Sequence, residues 1–190
     1  MKAKLPIGHC ATLACVLEAT ARKPGNVHPQ ASFSDVSYPD FVACAIAIGP
    51  IMQTARMFGV GPTIGACTSR CRELVQTNAN LGIVLLLTPR AAVPESQSLD
   101  EGVPDVLGRL TMSDACAVYE AIRLARPGGL GRVAEQDVSR APTMDLVSAM
   151  RLAADRDLVA RQYANVFREV FADGVPSLLA AQAAGLNWEE

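Results

Sequence analysis

The sequence predicts an all-α fold, a single-domain bundle of several helices around one buried central helix. Three observations predict it. Apolar residues recur with a 3.6-residue period in most segments and rarely alternate. Half of the 190 residues are hydrophobic but only 5% are aromatic, so the core must be built from Ala, Leu, Val, Ile, Met and Cys, a composition suited to close-packed helices. No succession of strand and helix patterns is present from which a parallel sheet could be assembled. The length suits one domain spanning residues 1–190 with a sizeable core better than two small ones.

Cys10, Leu13, Ala14 and Leu17 fall at i, i+3, i+4 and i+7, which predicts a first helix with that stripe buried and Glu18 at its edge. Pro24 biases Lys23 out of the helical region and Gly25 frees the backbone. The helix therefore ends near Arg22, and Lys23, Asn26 and His28 are presented from a stiff loop. The plain reading of Arg22 and Lys23 is a pair of cations at the negative end of a helix dipole. A small, polar segment carrying Ser32, Ser34 and Asp35 follows. Ser37 caps a second helix with Pro39 and Asp40 in its first turn, and Phe41, Ala45, Ile48 and Met52 form its buried side. A third helix opens at Pro62, buries Ile64, Cys67, Thr68, Cys71, Leu74 and Val75, and ends near Thr77. Asn78 and Asn80 then stand at the mouth of residues 81–87, the most apolar run. Periodicity alone leaves a strand open there; the lack of other strands decides for a central helix.

Pro89 and Pro94 bracket a loop, and a short helix covers residues 103–110. Ser113 opens the next helix, with Asp114 in its first turn and Ala117, Val118, Ala121, Ile122 and Leu124 inside. It stops at Arg126-Pro-Gly-Gly-Leu-Gly131. Such a loop can cradle phosphate through its N–H groups, but the Gly-Lys-Ser/Thr of a P-loop is absent, which favours a plain helix stop. Thr143 caps a last long helical region, in which Asp155, Val159, Gln162, Tyr163 and Val166 share one side and Asp157 and Arg161 make an i, i+4 ion pair.

A net charge of −2 with no basic run excludes general attraction to nucleic acid. The six cysteines lie mostly in helical apolar patterns, which reads as reduced core thiols; Cys67 and Cys71 at i, i+4 lack the CxxC or histidine that would complete a metal site. Lys2 and Lys4 precede an apolar region that His9, Thr12 and Glu18 interrupt, so no export signal is read. The apolar run at 81–87 is far shorter than the ~20 residues a membrane-spanning helix needs. A cytoplasmic protein with no membrane or nucleic-acid partner is expected.

Three stretches together resemble the triphosphoribosyl-dephospho-CoA synthase family. They are Leu17-Glu18 followed by Lys23-Pro24-Gly25, then Thr77-Asn78-Ala79-Asn80-Leu81-Gly82, and the late stretch from Asp157 through Ala160-Arg161-Gln162-Tyr163. The second motif ends in Asn80-Leu81-Gly82 where His-Lys-Gly is common, and Ala31-Ser-Phe-Ser-Asp35 stands where better-known members carry Gly-Ala-His and an acidic residue. These departures are similar to a divergent branch associated with methanopterin-type one-carbon cofactors, and the chain looks C-terminally short beside the family.

The resemblance implies joining of ATP to 3′-dephospho-CoA, or a related acceptor, through the ATP ribose, with release of adenine and retention of the triphosphate. Displacement at an anomeric carbon passes through an oxocarbenium-like state that a carboxylate can stabilise while another activates the hydroxyl. Glu18 and Asp157 are the implied catalytic residues. Lys23, Asn26, His28, Asn78, Asn80, Arg161 and Gln162 are the implied substrate-binding set, and Asp35 and Asp155 would hold Mg²⁺ with the triphosphate. The alternative is a non-catalytic nucleotide-binding or assembly protein derived from such an enzyme. Leu178, Leu179, Ala183 and Leu186 give the last helical stretch, which closes at Trp188-Glu-Glu, an uncovered apolar face. A two-fold homodimer burying it is expected.

Overall fold

The computed structural model describes residues 4–186, and among them it forms ten α-helices and no sheet. The all-α prediction stands. The first pair is α1 (Ile7–Thr20) and α2 (Tyr38–Gln53), which lie against each other at very short range. α1 buries Gly8, Ala11, Cys15 and Ala19, not the predicted stripe; Cys10 is exposed and Leu13 is 45% exposed. The reason is steric. A Cβ on Gly8 would stand 2.3 Å from the Gly49 carbonyl oxygen, so only the smallest residues fit the contact. With the backbones this close, Gly8 N–H donates to Gln53 Oε1 at 3.0 Å and Thr12 Oγ1 donates to Ala45 O at 2.9 Å.

Ser37 and Asp40 start α2 as predicted: Asp40 Oδ2 accepts from Ser37 N at 2.8 Å and Ser37 Oγ at 2.7 Å, and these bonds hold its carboxyl below the ordinary value. Ala45, Ile48 and Met52 are buried, whereas Phe41 is only partly so and Cys44 takes its place in the core. An unforeseen short helix, α3 (Ala55–Phe58), precedes α4 (Val60–Leu74). Gly59, at φ +83°, separates them, and α4 begins two residues before Pro62, which sits in the first turn where no N–H is required. α4 ends at Leu74, short of Thr77, and Leu74 is exposed rather than buried.

The predicted central helix is α5 (Leu81–Ala91), with α1, α2, α3, α4 and α9 (Leu158–Ala164) packed against it, together with α6 (Leu99–Gly108). Pro89, expected to open a loop, lies inside α5. A proline at this position cannot donate to the carbonyl four residues back, Leu85 O. Tyr163 supplies the missing donor: its fully buried hydroxyl bonds Leu85 O at 2.7 Å. Helix α6 begins at Leu99, ahead of the predicted start, with Asp100 and Glu101 in its first turn.

Helix α7 (Met112–Ala125) is capped by Thr111, not Ser113. Asp114 Oδ2 accepts from Thr111 N and Oγ1, both at 2.8 Å, while Oδ1 accepts from Gly61 N at 2.9 Å and stitches α7 to α4. Leu124, predicted inside, is 43% exposed. The predicted long last helix is two: α8 (Leu146–Ala153), capped by Asp145 rather than Thr143, and α9, with a turn between them. A π-helical turn (Val170–Gly174) leads to α10 (Val175–Ala183), which buries none of its residues; Leu178 and Leu179 are 66% and 59% exposed. Trp188-Glu-Glu lies outside the described residues.

Cys15, Cys44, Cys67 and Cys71 are buried in one core and all six thiols are free. Burial pushes the Cys15 and Cys67 thiols up to about 12. The hydrogen bond to Cys44 raises Cys71 further still, and burial adds to it. No helix among the described residues is long and apolar enough to cross a membrane.

Candidate active site

The loop after α1 forms the first polar cluster. Thr20 ends the helix, Ala21 turns extended, and Gly25 at φ +75° lets the chain fold back so that Asn26 N–H reaches Lys23 O. Lys23 Nζ thereby lies 2.9 Å from Glu18 Oε1 and also donates to the Glu18 carbonyl. Asn26 Nδ2 donates to the same Oε1 at 3.3 Å. Buried Val27 anchors the loop. His28 closes a small bridge with Ala31, and its Nδ1 accepts from Gln30 N at 3.3 Å. Glu18, Lys23 and Asn26 are thus brought together, and His28 is turned toward its own hairpin.

The second cluster is a cleft of about 480 Å³ between α5, α7, α8 and the turn before α9. Asn78 and Asp157 both line it, although they come from opposite halves of the chain. Asn78 Oδ1 accepts from Leu81 N at 3.2 Å and starts α5. Asp157 caps α9 through Oδ1, which accepts from Val159 N at 2.7 Å and Ala160 N at 3.0 Å. Its Oδ2 accepts no hydrogen bond among the described residues. This capping role breaks the predicted helix and corrects its face: Asp155 is exposed, Val166 is exposed, and Asp157 makes no i, i+4 pair with Arg161.

The cleft wall also contains the 127–131 loop, Gln136, Asp137 and Arg156, none of which the sequence reading nominated. The signal was present in Pro-Gly-Gly-Leu-Gly, read as a helix stop. Arg126 does end α7, in the left-handed region at φ 50°. Tyr119, whose hydroxyl burial pushes above its ordinary value, donates to Gln136 O at 3.0 Å and pins the loop over the cleft.

Arg161 and Gln162 meet elsewhere, through Glu169. Arg161 Nε lies 3.2 Å from Glu169 Oε1, and Gln162 Nε2 donates to Glu169 Oε2 at 2.7 Å. Gln162 is 8% exposed and its Oε1 has no partner among the described residues. Asn80 is buried, neither of its amide atoms is bonded among the described residues, and it does not line the cleft. Asp35 accepts from Thr77 Oγ1 at 3.0 Å, so the segment after the Glu18 cluster leans on the loop that bears Asn78. No three His, Cys, Asp or Glu side chains among the described residues come together as a metal-ligand set. Asp35, engaged by Thr77, and Asp155, exposed on a turn, join no such set among the described residues and do not fit a resident magnesium site.

The cleft thus combines the Asp157 carboxylate, the Asn78 amide and a glycine-rich wall. Comparison with curated proteins and with solved structures found no match. The family model described as ATP:dephospho-CoA triphosphoribosyl transferase matches residues 4–190, and the chain belongs to that family.

Proposed function

We propose that the protein transfers the triphosphoribosyl group of ATP to a hydroxyl of 3′-dephospho-CoA or a closely related acceptor. The observation that carries this reading is Asp157: a cleft-lining carboxylate with one oxygen fixed by two backbone N–H groups and the other unengaged. In the reaction the ATP C1′–N9 bond breaks and a bond from the acceptor oxygen to C1′ forms. Asp157 takes the hydroxyl proton and then releases it to solvent, and adenine leaves with one proton taken from solvent at the ring nitrogen, so the exchange balances. Asn78 orients the ribose beside it. Glu18, held by Lys23 and Asn26 in a cluster outside the cleft lining, is the second carboxylate of this reading, and its role is to stabilise positive charge at C1′. Arg161 and Gln162, joined by Glu169, act as a support for α9. Magnesium enters as the counter-ion of the ATP phosphates, part of the substrate.

Incubation with ATP, Mg²⁺ and 3′-dephospho-CoA, followed by chromatography for free adenine, tests the reading. Adenine formed one-for-one with an acceptor heavier by a triphosphoribosyl group is the expected result. A rise in melting temperature with ATP but no adenine would overturn it in favour of a non-catalytic nucleotide binder.

A further inference from the structure

Beside the cleft lies a wider recess of about 750 Å³, on the other side of the 127–133 segment. Its walls hold Arg123, Arg126, Arg132 and Arg140, four of the 17 Lys and Arg of a chain whose net charge is −2. Lys23 is neutralised by Glu18, but neither Arg126 nor Arg140 has a carboxylate partner among the described residues. Arg123 is held in place by its bonds to Val138 O at 2.7 Å and Arg140 O at 3.3 Å.

The one acidic residue in the wall, Asp137, is already engaged. Its Oδ1 accepts from Ser139 Oγ at 2.6 Å and Ser139 N at 2.9 Å, and its Oδ2 accepts from Val133 N at 2.9 Å. Those bonds, with a contribution from Arg132, hold its carboxyl at about 2, so it shapes the loop and stays charged without filling the recess. Four guanidinium groups against one carboxylate leave a marked positive excess. The backbone adds donors of its own. Arg126 and Gly131 both have positive φ, and a Cβ on Gly131 would meet nothing within 4 Å, so this glycine serves the path of the chain and not its packing. The N–H groups of Leu130, Gly131 and Arg132, all in the recess wall, donate to no protein group among the described residues. Guanidinium forks and open peptide N–H groups are the two donor types that recognise phosphate.

We propose that this recess binds a linear oligophosphate, the phosphate chain of a substrate whose sugar reaches past Leu130 into the cleft. The two spaces share Ile122, Leu130, Gly131 and Asp137 in their walls, which makes one ligand spanning both feasible. The identity of the substrate rests on the proposed function, since the triphosphate of ATP and the diphosphate bridge of dephospho-CoA offer the same chemistry.

Sodium tripolyphosphate, titrated calorimetrically into the wild-type protein at low ionic strength, is the first probe. Saturable binding that weakens as salt rises is expected. Arg132→Ala and Arg126→Asn, the latter chosen because Asn tolerates left-handed backbone, should each weaken it roughly tenfold, while Arg70→Ala on α4 should not change it. No binding by the wild type, or equal binding by a folded R126N/R132A double variant, overturns the proposal. In steady state, a rise in KM for ATP alone assigns the triphosphate to the recess, and a rise for dephospho-CoA alone assigns the diphosphate. Both KM values unchanged in the double variant would overturn the recess and leave the transferase reading intact. Tripolyphosphate binding lost in the double variant, with no adenine released by the wild type, would uphold the recess and overturn the transferase.

Discussion

Replacing Tyr163 with Phe should cost about 1–3 kcal/mol, almost all of it through an atom that belongs to another helix. Pro89 leaves Leu85 O without its helical donor, and the Tyr163 hydroxyl supplies one at 2.7 Å in a fully buried setting. Phe fills the same space and keeps the tilted contact with Phe167, so the loss is the unsatisfied carbonyl and not a cavity. For a domain of this length, about 2 kcal/mol corresponds to a fall of roughly 4–8 °C in melting temperature. A double-mutant cycle isolates the cause. Pro89→Ala restores an N–H at position 89, so Tyr163→Phe in that background should cost only about 0.5–1.5 kcal/mol. Urea unfolding followed by circular dichroism reads all four proteins. An equal cost in both backgrounds, or a neutral Tyr163→Phe, would refute the reasoning.

Two identical substitutions should have opposite signs. Gly8→Ala sets a Cβ against the Gly49 carbonyl and should destabilise by about 1–3 kcal/mol, whereas Gly65→Ala in α4 meets nothing and should stabilise by about 0.5–1 kcal/mol in thermal melts. Val166, a half-exposed β-branched residue at φ 60°, is strained; Val166→Asn should raise stability by about 1 kcal/mol, read as a higher urea midpoint. The bare face of α10 around Leu178 and Leu179 leads us to propose a two-fold dimer; its melting point should fall on dilution, and a monodisperse monomer by light scattering with a dilution-independent melt would sink it.

The sequence made the all-α architecture, the central helix and the turn at Gly25 legible because each rests on local chemistry: helical periodicity, the lack of competing strands, and a Pro-Gly pair. The buried face of α1 was not legible. Leu13 and Leu17 outscore Gly8 and Ala11 on any apolar scale, and only the closeness of α2, set by Gly49, makes smallness the winning property. Pro89 looked like a helix stop because the hydroxyl that satisfies Leu85 O comes from 78 residues further on. Among the nominated residues, those at the end of α1 and in the loop after it, Glu18, Lys23 and Asn26, do meet. Asp157 was found as a carboxylate but misread as mid-helical; as an N-cap it points one oxygen at its own backbone, and that fixes where α9 begins. Glu169 and the arginines around the 127–133 segment carry no local pattern and emerge only when the chain folds.

The most direct measurement is adenine release by Asp157→Ser. Serine caps a helix about as well as aspartate, so α9 should hold and the melting temperature should stay within about 3 °C of wild type. With the carboxylate gone, kcat should fall at least about 100-fold. A folded Asp157→Ser protein that releases adenine at the wild-type rate would contradict the assignment of the cleft as the catalytic site.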